Sequence, residues 1–337
     1  MGWAALRANI FNKKVPLNVM LSVTNRCPSS CSYCNIPKRK QKELKTSEIF
    51  SLIDQISDMG CQRLGLWGGE PLVRDDIGLI INYAKKRGLF VTLDSNGYFV
   101  PEKIKSLKNL SHLILGFDGD EKAHDLNKEP GSFNKVMAAM EAAKGKIPFW
   151  TITVLTKNNL DSINFILNKA RDYNFLTTFQ LLHHNDKLSR NQEALLPSFG
   201  DYKRAIKKII EEKKKGAHIA SSQKYLYHIL NWDDYEMTTS SHRVNNLRCW
   251  AGELYCNVDT DGSVYPCSLM IDKVNSLNFL DVGFKKAFDN LVLNSCEGCL
   301  ASCFTEYNYL YSLDARTIVE WMKAMRKTAR YICVSER

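Results

Sequence analysis

Short runs of β-branched and aromatic residues alternate with longer amphipathic stretches between residues 17 and 182. The short runs predict six strands, at residues 17–23, 63–67, 90–94, 112–117, 149–155 and 177–182. Apolar residues recur at helical spacing between them, at residues 47–59, 77–87, 133–143 and 161–173. Such repetition predicts an α/β fold with parallel strands, arranged as an open sheet or as a barrel closed fully or in part. We expect functional residues at the carboxyl ends of the strands.

The pattern changes after residue 196 and again after residue 246. Residues 197–246 are charged and helix-favouring, and the lysines at 213–215 are typical of a solvated helix face. From residue 247 the chain is rich in cysteine, with turn signals at Asp261-Gly262 and Glu297-Gly298 and a helical pattern over residues 315–331. We therefore predict an N-terminal cap helix (1–16), a strand-and-helix core (17–196), a helical linker (197–246) and a small cysteine-rich α+β unit (247–337).

The composition, 45% hydrophobic and 24% charged over 337 residues, is that of an ordinary soluble globular protein. No stretch approaches the roughly 18 apolar residues of a membrane-spanning helix, and the start has no secretory signal, which predicts a cytoplasmic protein. The 46 basic and 36 acidic residues give a net charge of +10, which favours an anionic substrate. Trp3, Leu6, Ile10 and Phe11 predict an amphipathic segment, either a cap on the core or a peripheral contact with a membrane surface.

The eleven cysteines fall into an early and a late group, with none between Cys61 and Cys249. An odd number of clustered cysteines in a reducing compartment favours metal binding over disulfides. Three early cysteines, Cys27, Cys31 and Cys34, follow the first predicted strand directly. Structural zinc normally takes four ligands, whereas a cluster held by three thiolates leaves one iron free for another ligand. The spacing therefore favours an iron–sulfur cluster with an exchangeable iron.

This Cys-x-x-x-Cys-x-x-Cys motif, with Tyr33 before its last cysteine, resembles the signature of the radical S-adenosylmethionine (radical SAM) enzymes. Segments that follow the next three predicted strands resemble the parts of that family that line the SAM site: Gly68-Gly69-Glu70-Pro71, Ser95-Asn96-Gly97 and Asp118-Gly119. In the family the Gly-Gly-Glu-Pro segment contacts the amino group of SAM, and the carboxylate of Glu70 can pair with an ammonium. One departure is Gly116, where many relatives have serine, so a hydroxyl contact is not expected there.

The resemblance implies a partial (β/α)6 barrel with a [4Fe-4S] cluster on Cys27, Cys31 and Cys34. The free iron would bind SAM, and Tyr33, Gly68, Gly69, Glu70, Pro71, Ser95, Asn96 and Asp118 would lie around it. A reduced cluster would then cleave SAM to a 5′-deoxyadenosyl radical that abstracts hydrogen from an unactivated carbon. The electron would come from a donor such as flavodoxin or ferredoxin.

The late cysteines resemble the auxiliary-cluster extension of this family called SPASM, or its shorter form, twitch. Cys249 and Cys267 flank two predicted strands joined by a turn at Gly262, and Cys296 and Cys299 form a Cys-x-x-Cys pair. By this resemblance the four would hold one auxiliary iron–sulfur cluster, a [4Fe-4S] cluster. Two clusters, one of them with an open iron, and a structural zinc are the alternatives. The roles of Cys256, Cys303 and Cys333 stay open, and Cys61 is typical of a buried apolar residue.

The substrate is predicted to be an anionic small molecule, a sugar or a lipid-linked compound, with the basic segment 38–45 as either an exposed loop or an anchor for its anion. The alternative is a maturase that modifies a peptide or protein side chain, which the absence of an N-terminal winged domain argues against. A non-catalytic zinc or iron–sulfur protein that binds RNA is the alternative of another class. It is disfavoured because the basic segments lack interleaved aromatic residues. His124, His183 and His184 follow predicted strands, but no catalytic residue is assigned.

Overall fold

The computed structural model describes residue 6 and residues 13–185, 187–293 and 296–333, and the side chains of residues 329–333 are not described. Six parallel strands pair in sequence order and confirm the predicted α/β barrel core. They are β1 (Asn18–Thr24), β2 (Arg63–Gly68), β3 (Phe90–Ser95), β4 (His112–Gly116), β5 (Phe149–Leu155) and β6 (Leu176–Leu181). Each predicted strand lies within a residue or two of its observed position.

Alternation along these strands separates an outer from an inner face. Leu21, Leu66, Leu93 and Leu115 are buried on the outer face, against the helices that connect the strands. The connecting helices are α1 (Thr46–Asp58), α2 (Ile77–Lys86), α3 (Val100–Lys103), α4 (Glu121–Asn127), α5 (Ser132–Ala143) and α6 (Ile163–Asp172). The inner face carries a mixture of polar and apolar side chains, because it surrounds a cavity rather than a packed core.

The late part of the chain does not form a separate sheet. Strands β8 (Tyr255–Val258), β9 (Ser263–Tyr265) and β10 (Leu277–Asn278) extend the barrel sheet, whose order is β10-β9-β8-β1-β2-β3-β4-β5-β6. Strand β8 pairs parallel to β1, and β9 returns antiparallel to it. An uncovered edge at β1 would leave backbone groups unpaired, and the hairpin satisfies them. The predicted boundary at residue 247 is therefore not a boundary in the sheet.

Further helices lie on both sides of the sheet. They are α7 (Gln192–Leu195), α8 (Phe199–Lys214), α9 (Gln223–Leu230), α10 (Phe279–Val282), α11 (Phe284–Asp289), α12 (Ser302–Tyr311) and α13 (Ala315–Cys333). Helix α11 lies against α1 on the outer side, and α12 lies on the inner side. A second small sheet pairs β7 (Thr239–Ser240) with β11 (Gly298–Cys299). Helix α8 buries Tyr202 and Ile206 in the main core, and the Tyr202 hydroxyl donates to the Leu155 carbonyl over 2.9 Å. The predicted linker is thus an integral part of the barrel.

Nearly all of the predicted cap helix lies outside the described residues, so its packing stays a prediction. Residues 13–16 have no regular secondary structure, and Leu6 is exposed. The side chain of Cys333 also lies outside the described part of the chain. Within that part, no helix combines the length and the apolar character needed to cross a membrane.

Candidate active site

Three thiols lie together on the loop that follows β1. The Ser29 amide donates to Cys27 Sγ over 3.4 Å, and the side-chain amide of Asn96 lies 3.6 Å from the same sulfur. Burial, together with the charges of the neighbouring thiols, raises the pKa of Cys27 to about 12 and that of Cys34 to about 11. A metal ion or cluster at this position would remove these protons, because coordinated thiols bind as thiolates.

Lys128, at the end of α4, is a cation beside these sulfurs. Its Nζ lies 4.0 Å from Cys31 Sγ, 2.9 Å from the Tyr33 hydroxyl and 3.5 Å from Asp118. Burial alone would lower the pKa of Lys128, but the negative charges of Asp118 and Cys31 outweigh it and raise the pKa well above its usual value. Lys128 therefore keeps its charge next to the thiols. No sequence motif marks Lys128, and its only signal in the sequence is its position after the carboxyl end of β4, at the expected reaction edge.

The space for this ammonium depends on Gly116. A Cβ atom at Gly116 would lie 3.2 Å from Lys128 Nζ. The departure from serine noted in the sequence thus coincides with a lysine that occupies the neighbouring space. Gly116 therefore lacks the hydroxyl of the family's serine and leaves room for the Lys128 ammonium.

Glu70 joins the loops that follow β2 and β3. It is fully buried, and its carboxylate accepts hydrogen bonds from the Leu72 amide (3.0 Å), the Ser95 hydroxyl (2.9 Å) and the Asn96 amide (2.7 Å). Burial outweighs these hydrogen bonds and raises the pKa of Glu70 to about 7. In this structure the carboxylate supports the loops that would surround SAM, and its pairing with the SAM ammonium stays a prediction.

The two glycines before Glu70 allow close contact between loops. A Cβ atom at Gly69 would lie 2.4 Å from the Arg26 carbonyl oxygen, on the loop that begins the cysteine motif. Gly68 has φ of +138°, a conformation that other residues rarely adopt. Pro71 is buried and opens a short 3-10 helix, Pro71–Val73. The Gly-Gly-Glu-Pro segment therefore packs against the loop of the cysteine motif, and its contact with SAM stays a prediction.

Tyr33 and Asp118, both predicted site residues, contact each other. The Tyr33 hydroxyl donates to Asp118 over 2.8 Å, and the other Asp118 oxygen accepts from the Val154 amide over 3.0 Å. Burial and the Asp118 charge raise the pKa of Tyr33 well above its usual value, so the phenol stays protonated. This pair ties the cysteine loop to the ends of β4 and β5.

The histidines near these strands have structural surroundings. His124 Nδ1 accepts a hydrogen bond from the Asp118 amide over 3.0 Å, and burial, aided by Lys128, lowers its pKa to about 4. Burial also lowers the pKa of His183 to about 4, and its ring faces the cavity described below. The His184 amide donates to Thr238. The first two imidazoles are therefore neutral at physiological pH.

A second group of thiols lies in an apolar core of the late region. Burial raises the pKa of Cys267 and Cys299 well above the usual value and that of Cys296 to about 11, and the neighbouring Cys249 raises all three. Cys249 Sγ lies 3.6 Å from the Tyr255 hydroxyl, whose ring stacks on Phe304. The four cysteines that the SPASM-like spacing selects are therefore brought together. A set of thiols with no carboxylate suits an iron–sulfur cluster or zinc.

The other cysteines lie apart from this group. Cys303 lines the cavity. Burial raises the pKa of its thiol, and the charge of Asp94 adds to that effect. Cys256 and Cys61 are buried in the main core, as expected for small apolar residues. Within the described residues, no three His, Cys, Asp or Glu side chains are arranged around a single metal ion.

A cavity of about 350 Å³ lies between the inner face of the sheet and helices α12 and α13. Its lining includes Cys34 of the first thiol group and Ser268 and Leu269, which follow Cys267 of the second. Aromatic side chains form much of the wall, namely Trp67, Trp150, Phe304, Tyr307 and Trp321. The volume suits a side chain or a small molecule. No sequence motif indicated it, but its lining residues recur at every second position of the strands.

In the basic segment at residues 38–45 the fold uses Arg39, whereas Lys38, Lys40, Lys42 and Lys45 are exposed. Arg39 is almost fully buried and pairs with Asp259 over 3.0 and 2.5 Å and with Asp272 over 3.3 Å. These ion pairs connect the cysteine loop to the late hairpin. Arg39 is therefore not free to bind a substrate anion.

Comparisons with known proteins agree with this geometry. The Radical SAM superfamily model matches residues 21–170. The chain is 27% identical to the PqqA peptide cyclase of Gluconobacter oxydans (strain 621H), over 75% of this chain and 70% of the relative. It is 26% identical to the AdoMet-dependent heme synthase of Methanosarcina barkeri (strain Fusaro / DSM 804), over 82% of each.

Two solved structures share the fold. Native anSMEcpe with bound AdoMet and Cp18Cys peptide has a TM-score of 0.64 and 20% identity, over 90% of this chain and 99% of that chain. Streptococcus suis SuiB bound to S-adenosylmethionine has a TM-score of 0.62 and 15% identity, over 82% of this chain and 66% of that chain. With the family model, the cysteine loop and the barrel in agreement, this chain contains a radical SAM domain at residues 21–170, followed by a cysteine-rich C-terminal region consistent with an auxiliary cluster.

Proposed function

We propose that this enzyme modifies a side chain of a peptide or protein by radical chemistry. The observation that carries the proposal is the cavity, which touches the loop of Cys34 on one side and the residues after Cys267 on the other. A substrate side chain in this cavity would lie between the two thiol groups. The relatives named as peptide cyclases and the fold shared with peptide-bound anSMEcpe support a peptide as the substrate.

Cys27, Cys31 and Cys34 are proposed to hold the [4Fe-4S] cluster, with SAM beside the loops at Gly68–Pro71, Ser95 and Asn96. Two observations support this assignment. Cys31 and Cys34 raise the pKa of Cys27, and Gly69 lies close to the Arg26 carbonyl. When bound, the cluster and SAM supply a 5′-deoxyadenosyl radical that removes hydrogen from a substrate carbon. The side chains of this enzyme supply position and exclusion of water.

Individual residues have distinct parts in this proposal. Lys128 offsets the negative charge that thiolates and inorganic sulfide bring to a buried position. Glu70 keeps the β2 and β3 loops in place through its hydrogen bonds to Ser95 and Asn96. Tyr33 and Asp118 hold the cysteine loop against the barrel.

Cys249, Cys267, Cys296 and Cys299 are proposed to hold a single auxiliary iron–sulfur cluster. Two fully thiolate-bound clusters would need eight late cysteines, and the chain has seven. Of the remaining three, Cys256 and Cys303 lie away from this group, which supports one cluster over two. A flavodoxin or ferredoxin is proposed as the electron donor, and the cytoplasm as the compartment.

A small-molecule substrate is the second candidate. The heme synthase relative covers 82% of this chain at 26% identity, and a 350 Å³ cavity also suits a compact metabolite. The specific expectation of an anion loses support because Arg39 is paired within the protein.

Anaerobic reconstitution with iron and sulfide, followed by SAM and dithionite, tests the proposal. We expect about eight iron atoms per chain and formation of 5′-deoxyadenosine. The Cys267→Ala variant should hold about half of the iron, and Cys303→Ala should hold all of it, as a matched control in the same region. Absence of 5′-deoxyadenosine, or an unchanged iron content in Cys267→Ala, would contradict the proposal.

The peptide assignment has its own test. A library of short peptides with deuterated side chains is incubated with the reconstituted enzyme, SAM and dithionite. Transfer of deuterium into 5′-deoxyadenosine from a peptide supports a maturase. Transfer only from small metabolites in a parallel set would favour the second candidate.

A further inference from the structure

One end of the cavity holds buried polar groups that the fold leaves unpaired. Asn257 is 1% exposed, and within the described residues neither Oδ1 nor Nδ2 of its amide has a hydrogen-bond partner. Oδ1 of Asp94 and Nε1 of Trp67 are likewise buried and unpaired in that part of the chain. All three residues line the cavity. Unpaired buried groups cost free energy, and a ligand that pairs with them recovers it.

Arg63 of β2 lies between the strands that carry Asn257 (β8) and Asp94 (β3), and Trp67 lies further along β2. Asn257 of β8 pairs with Met20 of β1, and Arg63 Nη1 lies 3.3 Å from Met20 Sδ. Arg63 Nη2 donates to Thr92 over 2.7 Å, two residues before Asp94 on the same face of β3. We call Arg63, Trp67, Asp94, Asn257 and Tyr307 the polar end of the cavity.

The polar end contains one positive side chain, Arg63, and one negative side chain, Asp94. The Arg63 guanidinium lies 5.6 Å from the centre of the Tyr307 ring and is held by Asn18 and Thr92. Arg63 disfavours a substrate ammonium, and Asp94 disfavours a substrate carboxylate. An uncharged ligand with both a donor and an acceptor fits this end best.

The remaining wall selects an aromatic ring. Trp150, Phe304 and Trp321 form apolar surfaces around the cavity, and Trp150 and Trp321 lie 5.7 Å apart between ring centres. Aromatic rings pack favourably in edge-to-face and offset arrangements against such surfaces. A phenol combines this apolar ring with one hydroxyl that donates to Asp94 or Asn257 and accepts from Trp67 or Asn257.

We infer that the polar end of the cavity receives the hydroxyl group of a tyrosine side chain in the substrate peptide. This inference rests on the proposed function, since it assumes that a peptide side chain enters the cavity. Asp94 and Asn257 are then specificity-determining residues. Phenylalanine would leave the same groups unpaired, and a site built for a hydroxyl rejects an analogue that lacks it.

The test compares Gly-Gly-Tyr-Gly-Gly with Gly-Gly-Phe-Gly-Gly and Gly-Gly-Gln-Gly-Gly. Binding to the reconstituted enzyme with SAM and no reductant is measured by anaerobic calorimetry, so that no turnover occurs. We expect the tyrosine peptide to bind about tenfold or more tightly than the phenylalanine peptide.

Asn257→Leu should reduce that preference to about twofold or less, because it removes both amide atoms at similar volume. Asp94→Asn should weaken it with minimal change in shape. Asn109→Leu, on the surface, should retain the full preference.

Three outcomes overturn the inference: equal affinities for the tyrosine and phenylalanine peptides, tightest binding of the glutamine peptide, or no binding of any peptide. A preference that survives in both Asn257→Leu and Asp94→Asn also overturns it. The iron content and 5′-deoxyadenosine assays judge the proposed function separately. If deuterium reaches 5′-deoxyadenosine from a peptide without tyrosine, the proposed function stands and the inference fails.

Discussion

The two thiol groups of this enzyme have opposite surroundings. The early group, Cys27, Cys31 and Cys34, is partly open, and polar side chains and the Lys128 ammonium surround it. In the late group Cys249 is half-buried, and Cys267, Cys296 and Cys299 are buried among aromatic and aliphatic side chains such as Tyr255 and Phe304. An open, polar group suits a cluster that exchanges a ligand during turnover. An enclosed, apolar group with four thiols suits a cluster that stays in place and supports the fold.

The largest expected effect comes from removing one cysteine from each group. Cys34→Ala should abolish 5′-deoxyadenosine formation and leave the thermal stability of the reconstituted enzyme nearly unchanged. Cys267→Ala should lower the melting temperature clearly, because binding of metal to a buried site contributes to folding free energy. Calorimetric melting and product analysis of both variants check this. Equal melting temperatures would remove the contrast between the two groups.

Buried glutamates in the two regions predict a pH dependence of stability. Burial raises the pKa of Glu306, on α12, to about 7 although it accepts hydrogen bonds from Ser222 and Trp321. A folded-state pKa above the unfolded value means that the folded protein binds the proton more tightly. The contribution of Glu306 to the free energy of unfolding therefore falls as pH rises from about 4.5 to about 7, by up to about 3 kcal/mol.

Urea unfolding of the metal-free protein at several pH values measures that slope. Glu306→Gln should remove this contribution, so the free energy of unfolding of the variant should rise relative to that of the parent protein between about pH 4.5 and about pH 7. Glu70, with a pKa also raised to about 7, acts in the same direction as Glu306, and His124 and His183, with pKa values lowered to about 4, act in the opposite direction. A slope that is unchanged in Glu306→Gln would show that the late-region carboxyl does not titrate in this range.

Gly69→Ala should damage only the early region. The added Cβ meets the Arg26 carbonyl oxygen at 2.4 Å, so the β2 loop and the cysteine loop must separate. Displacement of about 1 Å at a reacting centre can lower the rate about 100-fold. We expect 5′-deoxyadenosine formation to fall by that order, with iron in the late group retained. Gly200→Ala, on the outer helix α8, is the control and should leave product formation unchanged.

Lys128→Gln should give the smallest effect of these variants, a change in the midpoint potential of the early cluster alone. Loss of a cation 4.0 Å from Cys31 Sγ makes an added electron less favourable. The midpoint potential of the early cluster should fall by on the order of 50 mV, and that of the late cluster should not change. Redox titration followed by electron paramagnetic resonance measures both. Lys122→Gln, on the exposed side of the same helix, should shift neither potential.

Much of the architecture was readable from local patterns. All six core strands and four connecting helices lie where periodicity predicted them, because buried and exposed faces impose their spacing on the sequence. The hairpin at Tyr255–Tyr265 was also predicted, from the turn at Gly262. Its attachment to the edge of β1 was not, because register between distant segments leaves no local pattern. The same holds for helix α8, predicted as a linker and found in the core.

The sequence by itself determined the chemical class of this enzyme, because the cysteine spacing and the segments that follow each strand are local features. The contacts of individual residues with SAM stay predictions. Only the tertiary structure decided that Arg39 is neutralised by Asp259, that Lys128 lies beside Cys31, and that Asp94 and Asn257 line the same cavity. These residues lie up to 220 positions apart in the chain. Their meeting depends on sheet order and register, which the packing of the whole barrel sets.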